Sequence, residues 1–162
     1  MIRMVSRHPT SSARSGYTLI EMLIVMSLLS IIGLMSMGQV SDYMRERNVA
    51  AASAVVRNDL QQAFAIAARN RRPVRVSFAS ADTALRITNR DASVTYVRRG
   101  LGNGSGFQLR PSDVAFCAST CTDASIDVFP NGWASDTLSV TISKGSFTRG
   151  LRMSRSGLVT TR

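Results

Sequence analysis

One carboxylate, Glu21, stands at the head of an apolar run in which Met22 to Ser41 carry no charge. Twenty helical residues rising about 1.5 Å each cover about 30 Å, the thickness of a bilayer's hydrocarbon core. An unpaired carboxylate at that depth costs a few kcal/mol, so Glu21 needs a partner or a task. Cys117 and Cys121 are the only other residues whose type and spacing suggest covalent chemistry. With no further Cys and no nearby His they do not make a metal site. They read as a disulfide closing a tight loop, with a redox pair as the alternative. The only histidine, His8, lies ahead of the apolar run, and the carboxylates are scattered rather than paired. A hydroxyl or thiol nucleophile has no imidazole base in the rest of the chain, so neither an enzyme nor a cofactor or metal is expected.

The charge distribution orients the apolar segment. The chain has 162 residues and a net charge of +10, with 44% hydrophobic residues, enough for one core. Arg3, Arg7 and Arg14 precede the apolar run, and the first 16 positions hold no acidic residue. That asymmetry keeps a short N-terminal arm cytoplasmic and sends the bulk across the membrane. An ordinary signal peptide cut at Ser36-Met37-Gly38 is one alternative, although the apolar run is long for that class. An uncleaved signal anchor is another. Both leave Glu21 without a role.

A third reading gives it one. Gly16-Tyr17-Thr18-Leu19-Ile20-Glu21 resembles the processing site of type IV prepilins and type II secretion pseudopilins. The resemblance implies cleavage between Gly16 and Tyr17 by a prepilin peptidase/methyltransferase, and N-methylation of Tyr17. Tyr17 departs mildly from the commoner Phe. Cleavage would expose an ammonium on Tyr17, and in an assembled filament Glu21 of one subunit would face that ammonium on its neighbour. Such a pair need not stabilise much, because desolvation offsets the attraction, but either charge left alone is costly. Glu21 would then act as a register key for docking.

Beyond Asp42 the pattern becomes amphipathic. Val49, Ala52, Val56, Leu60, Ala63 and Ala67 recur at steps of three and four, with Phe64 beside them. This is one stripe of a helix. One helix from Tyr17 to Asn70 is expected, about 80 Å long at the usual rise, with any bend falling at Gly33 or Gly38. The stripe is read as packing on a sheet rather than a cofactor box. Arg69-Asn70-Arg71-Arg72-Pro73 could suit nucleic acid, but cations and a following proline are ordinary punctuation for a helix end.

After Pro73 the period falls to two. Val74, Val76 and Phe78 alternate with polar residues, as do Leu85 with Ile87 and Val94 with Tyr96. Phe107–Leu109, Val114–Phe116, Ile126–Val128, Leu138–Ile142, Phe147–Met153 and Leu158–Val159 add short candidate strands. Asn103-Gly104 and Asn131-Gly132 mark turns. Short strands without intervening helices predict an antiparallel sheet or small β-sandwich, and with the helix an α+β class; the prepilin resemblance implies that this class is pilin-like. The expected organisation is a cleaved basic leader (1–16), a transmembrane and assembly helix (17–42) and a periplasmic globular domain (43–162).

Phe129, Pro130, Gly132 and Gly157 occupy positions that resemble the C-terminal strands of GspH/FimT-type minor pseudopilins. This resemblance implies a minor pilin or pseudopilin, held in the bacterial inner membrane by a single pass and joined to other minor subunits and the major subunit. The host machine would be a type IV pilus or a type II secretion pseudopilus, where such subunits form a priming or tip complex. Some FimT-type pilins bind DNA for natural transformation through basic residues near the C-terminus. Here 17 basic and 10 acidic residues remain after the leader, a charge of +7 that permits phosphate contacts. Arg149, Arg152 and Arg155 are the candidate DNA contacts. The Gly-Arg-x-Arg pattern of that subgroup is replaced by Gly157-Leu158-Val159-Thr160, which favours the assembly role.

Overall fold

The structure, a computed structural model, describes residues 16–118 and 125–162, and for 35–38 the backbone alone. The chain divides into two units, residues 1–40 and 41–162. A helix, α1 (Leu19–Asn70), contributes to both. In the first unit its side chains from Leu19 to Leu34 are exposed and, apart from Glu21, Ser27 and Ser30, apolar. Among the described residues α1 is the helix long and apolar enough to cross a membrane.

In the second unit the expected stripe is the buried face. Val49, Ala52, Val56, Leu60, Ala63 and Ala67 are each at most 1% exposed, while Ala51, Ala54 and Gln61 between them face solvent. Each fully buried Val or Leu side chain contributes about 1.5–3 kcal/mol relative to exposure, so this face anchors the helix. The small alanines let the backbone of α1 approach closely, and Phe64 packs partly buried at the margin. The helix stops where the cations and the proline predict. Arg71 takes a left-handed φ of 52°, and its N–H donates to the Ala68 carbonyl.

Among the described residues eight strands follow: β1 (Val74–Ala79), β2 (Ala84–Asn89), β3 (Thr95–Gly100), β4 (Val114–Cys117), β5 (Ser125–Val128), β6 (Leu138–Lys144), β7 (Phe147–Met153) and β8 (Val159–Thr161). They form two four-stranded antiparallel sheets, ordered β3-β2-β1-β5 and β4-β6-β7-β8. Inward residues of both sheets, such as Val76, Ile87, Val140 and Leu151, share one hydrophobic core with the stripe of α1. The rings of Phe78 on β1 and Phe116 on β4 stack with centroids 6.1 Å apart, joining the sheets at that core. The architecture is α+β, as the periodicities predict.

Two expectations fail locally. Val94 and Tyr96 are exposed rather than core-facing. A register shift between Ile87 and Thr88 pairs Ile87 with Val97 and Thr88 with Thr95, so one extra residue of β3 falls at a bulge. The bulge changes which residues face inward, and Val97 takes the half-buried place. Phe107–Leu109 is not a strand. Gln108 has a φ of 51°, and the Lys144 ammonium donates to the carbonyls of Phe107 (3.0 Å) and Gln108 (2.9 Å). The segment's backbone acceptors are thus taken by a side chain, while Leu109 alone is buried and donates its N–H to Leu101 O.

Candidate processing and assembly segment

The backbone changes character at the predicted cleavage point. Gly16, Tyr17 and Thr18 are non-helical and exposed, and α1 begins at Leu19. The Gly16–Tyr17 peptide therefore lies outside the helix, where its amide is not locked into the i→i−4 ladder. Thr18 is the N-cap: its carbonyl accepts from Glu21 N (3.1 Å) and Met22 N (3.2 Å), and its Oγ1 accepts from Glu21 N at 3.3 Å. Thr-x-x-Glu is the pattern of a helix N-terminus, and a carboxylate in the first turn faces the positive end of the helix dipole. This local role for Glu21 was readable from Thr18 to Glu21 and is a second reason for its place. Glu21 is exposed, as is the apolar surface that follows it, and it makes no ion pair among the described residues. The alternative cleavage point, Ser36-Met37-Gly38, falls within the backbone of α1.

The comparisons with known proteins agree with this geometry. Residues 11–37 match the family model described as the prokaryotic N-terminal methylation motif. The N-terminus is type IV prepilin-like. That motif points to a pilus or pseudopilus component, a structural protein that assembles with other pilins after prepilin peptidase processing. An apolar, pilin-like helix fits single-pass anchoring in the inner membrane. No curated protein and no solved structure matches the chain.

The segments that resemble the GspH/FimT tail meet in space. The turn after β5 closes through Gly132, φ 82°, with Phe129 N donating to Trp133 O at 2.7 Å and Gly132 N donating to Phe129 O at 3.1 Å. Ala134 N then donates to Arg155 O at 2.8 Å, tying this turn to the one after β7. Gly157 in that second turn has φ 80°, and a Cβ there would lie 3.1 Å from the ring of Phe64. Only glycine fits both the backbone and the contact.

The three arginines proposed for DNA do not converge. Arg149 shares the face of β7 that carries buried Leu151 and Met153, and it lines a groove beside α1. Arg152 lies on the opposite face, level with Ser139 and Thr160. Arg155 is in the following turn, and its guanidinium bonds Asp136 at 3.1 Å. Cys117 closes β4 and is half-buried, while Cys121 lies outside the described residues, as does His8.

Ion pairs that local pattern reading missed brace the globular unit. Asp59 on α1 is wholly buried and accepts two bonds from Arg99 of β3. The hydrogen bond and charge of Asp59 hold the Arg99 guanidinium protonated beyond its ordinary range. Arg75 and Asp127, directly opposite on β1 and β5, make a similar fork at 2.8 and 3.1 Å, which likewise raises the pKa of Arg75. Arg86 and Arg98, opposite each other on β2 and β3, both bond Asp82, and its carboxyl is pushed below the usual range by Arg98 first and Arg86 next. Asp59 was detectable as a polar residue three positions after Val56 and four before Ala63, on the edge of the buried stripe. Among the described residues no cluster of three or more His, Cys, Asp or Glu could hold a metal.

Proposed function

We propose that this chain is a minor pilin or pseudopilin of the GspH/FimT type, acting in the priming or tip complex of a type IV pilus or type II secretion pseudopilus. The observation that carries the reading is the methylation motif at 11–37, laid over a capped helix start with Glu21 in its first turn. Cleavage at Gly16–Tyr17 frees an ammonium that sits next to the N-cap. A helix N-terminus already carries partial positive charge, so a further cation there is unfavourable until a carboxylate approaches. Glu21 of a neighbouring subunit supplies that carboxylate in an apolar bundle. The exposed apolar face of α1 supplies the packing, and the globular unit stays in the periplasm.

Replacing Glu21 with alanine tests the carboxylate. Insertion into the membrane should be unchanged, because removing a charge eases insertion. Incorporation into sheared filaments should fall strongly, because the neighbouring ammonium loses its partner. Equal incorporation of Glu21→Ala and wild-type subunits would contradict the register role. The DNA-uptake role draws no support from the placement of Arg149, Arg152 and Arg155.

A further inference from the structure

The uncharged run of α1 ends at Ser41, and the residues just past it have the chemistry of a bilayer's edge. Tyr43 is exposed, and the Arg47 guanidinium lies over its ring at 5.6 Å. Tyrosine collects at the headgroup level of membranes, where its ring stays apolar and its hydroxyl wet, and long cations reach toward phosphate there. Arg45 follows Ser41 by four residues, at most about 14 Å of chain, so connectivity alone keeps it near the end of the apolar run. Gly145, in the turn between β6 and β7, has φ 65°, and a Cβ there would lie 3.7 Å from Arg45 Nη1. That turn therefore shares Arg45's end of the globular unit.

A groove of about 590 Å³ opens there, and cations from three parts of the fold line it. Arg45 comes from α1, Arg110 from the loop ahead of β4, and Lys144 from the end of β6. The Lys144 ammonium gives two N–H bonds to the Phe107 and Gln108 carbonyls, which fixes it at the wall with a third donor left over. Neither Arg110 nor Lys144 has an ion pair among the described residues. Asn103 and Gln108 add side-chain amides. Among the described residues one carboxylate lines the groove, that of Asp113, and its Oδ2 accepts from Arg110 N at 2.9 Å. Asp42 bonds Arg45 at 3.2 Å from outside the groove, an exposed pair of small worth. The recess therefore offers more N–H donors than its own acceptors use, and an anion rich in oxygens satisfies them.

We propose that this groove binds the phosphate of an anionic lipid headgroup, in the leaflet that α1 leaves at Ser41. The guanidiniums of Arg45 and Arg110 suit phosphate oxygens bidentately, and the spare Lys144 N–H meets them as a point charge. Position selects a lipid over a soluble anion. The surface potential of anionic lipid acts over about a Debye length, roughly 8 Å at physiological salt, and helix rise puts Arg45 about 6 Å beyond Ser41. Arg69 and Arg72, at the other end of α1, begin about 36 Å further along the helix and lie beyond that reach. The inference rests on the reading of α1 as a membrane anchor. Headgroup contact would hold the globular unit at the bilayer before assembly, and would break as the subunit enters a filament.

The test uses the full chain in nanodiscs of phosphatidylcholine alone and in nanodiscs that also contain phosphatidylglycerol. With phosphatidylglycerol, amide exchange at Asn103, Arg110 and Gly145 should slow, and added salt should reverse the effect. Joint replacement Arg45→Gln and Arg110→Gln, both on exposed side chains, should lower the apparent affinity for phosphatidylglycerol about tenfold or more. The control pair Arg69→Gln and Arg72→Gln removes the same charge at the other end of α1 and should leave that affinity unchanged. Equal exchange in the two lipids, or equal loss in the control pair, would overturn the proposal. So would inorganic phosphate that protects the same amides as fully in phosphatidylcholine nanodiscs, because the groove would then serve a soluble anion. A subunit that inserts, is processed and enters filaments normally, yet exchanges equally in both lipids, overturns this inference alone. A chain that enters neither nanodisc overturns the membrane reading of α1 and this inference with it.

Discussion

Asp59, buried to 0% exposure in α1, is held by Arg99 of β3 through two hydrogen bonds of 3.0 and 3.1 Å, forty residues apart in the chain. The fork satisfies both carboxylate oxygens and fixes the outer strand of one sheet to the helix. Replacing Arg99 with methionine leaves the charge of Asp59 buried and alone. Loss of a buried partner costs up to about 5 kcal/mol, and the 42% exposure of the Arg99 side chain lowers that to about 2 kcal/mol through solvent screening. The double variant Asp59→Leu/Arg99→Met should recover much of the loss in thermal denaturation. A double variant as unstable as the two single changes summed would argue against the pair acting as a unit.

Gly157 makes a second, sterically defined prediction. Alanine there would hold a left-handed φ of 80° and meet the Phe64 ring at 3.1 Å. Gly157→Ala should destabilise by about 1–3 kcal/mol. Phe64→Leu should relieve the contact but not the backbone strain, so the combination should be less than additive. A neutral Gly157→Ala would mean that the turn rearranges freely.

Stability should depend on pH through Asp82. Its folded pKa lies below the unfolded value of about 3.9 because Arg98 and Arg86 bond the charged form. Between those two pKa values the unfolded chain binds more protons, so stability rises with pH. The contribution is complete above the unfolded pKa and is lost as pH falls through the folded one. Carboxyl titration by NMR should place Asp82 below the ordinary range, and Asp82→Asn should flatten the acid limb of the stability curve. An ordinary titration midpoint would contradict the clamp.

The cysteines offer a prediction from spacing and compartment. Cys117 and Cys121 should be joined in protein isolated without reductant, as mass spectrometry under non-reducing conditions will read. A loop this short contributes about 2 kcal/mol, so the double serine variant should fold with a lower melting temperature. Free thiols in freshly isolated protein would count against the bond.

The helix was legible because its determinants are local. Six apolar positions from Val49 to Ala67 repeat with the helical period, and all six are buried. The strand runs were legible for the same reason, as was the Asn131-Gly132 turn. Failures arose where a distant residue decides. Nothing near Phe107 announces that Lys144 will take its carbonyl, and nothing in Val94 or Tyr96 announces a bulge opposite Ile87 and Thr88. Asp59 and Arg99 each look like surface charges until the fold brings them together. At the N-terminus the motif was legible whole, since processing must be read from linear sequence, yet the Thr18 cap beside Glu21 was overlooked.

The central claim is that the mature chain begins at Tyr17 and carries a methyl group there. Intact mass of the protein extracted from native membranes measures this directly. The account predicts loss of residues 1–16 together with the mass of one methyl group, and fragmentation that places the methyl on the amine of Tyr17. A chain that retains residues 1–16, or one that begins at Gln39 after ordinary signal cleavage, would contradict it.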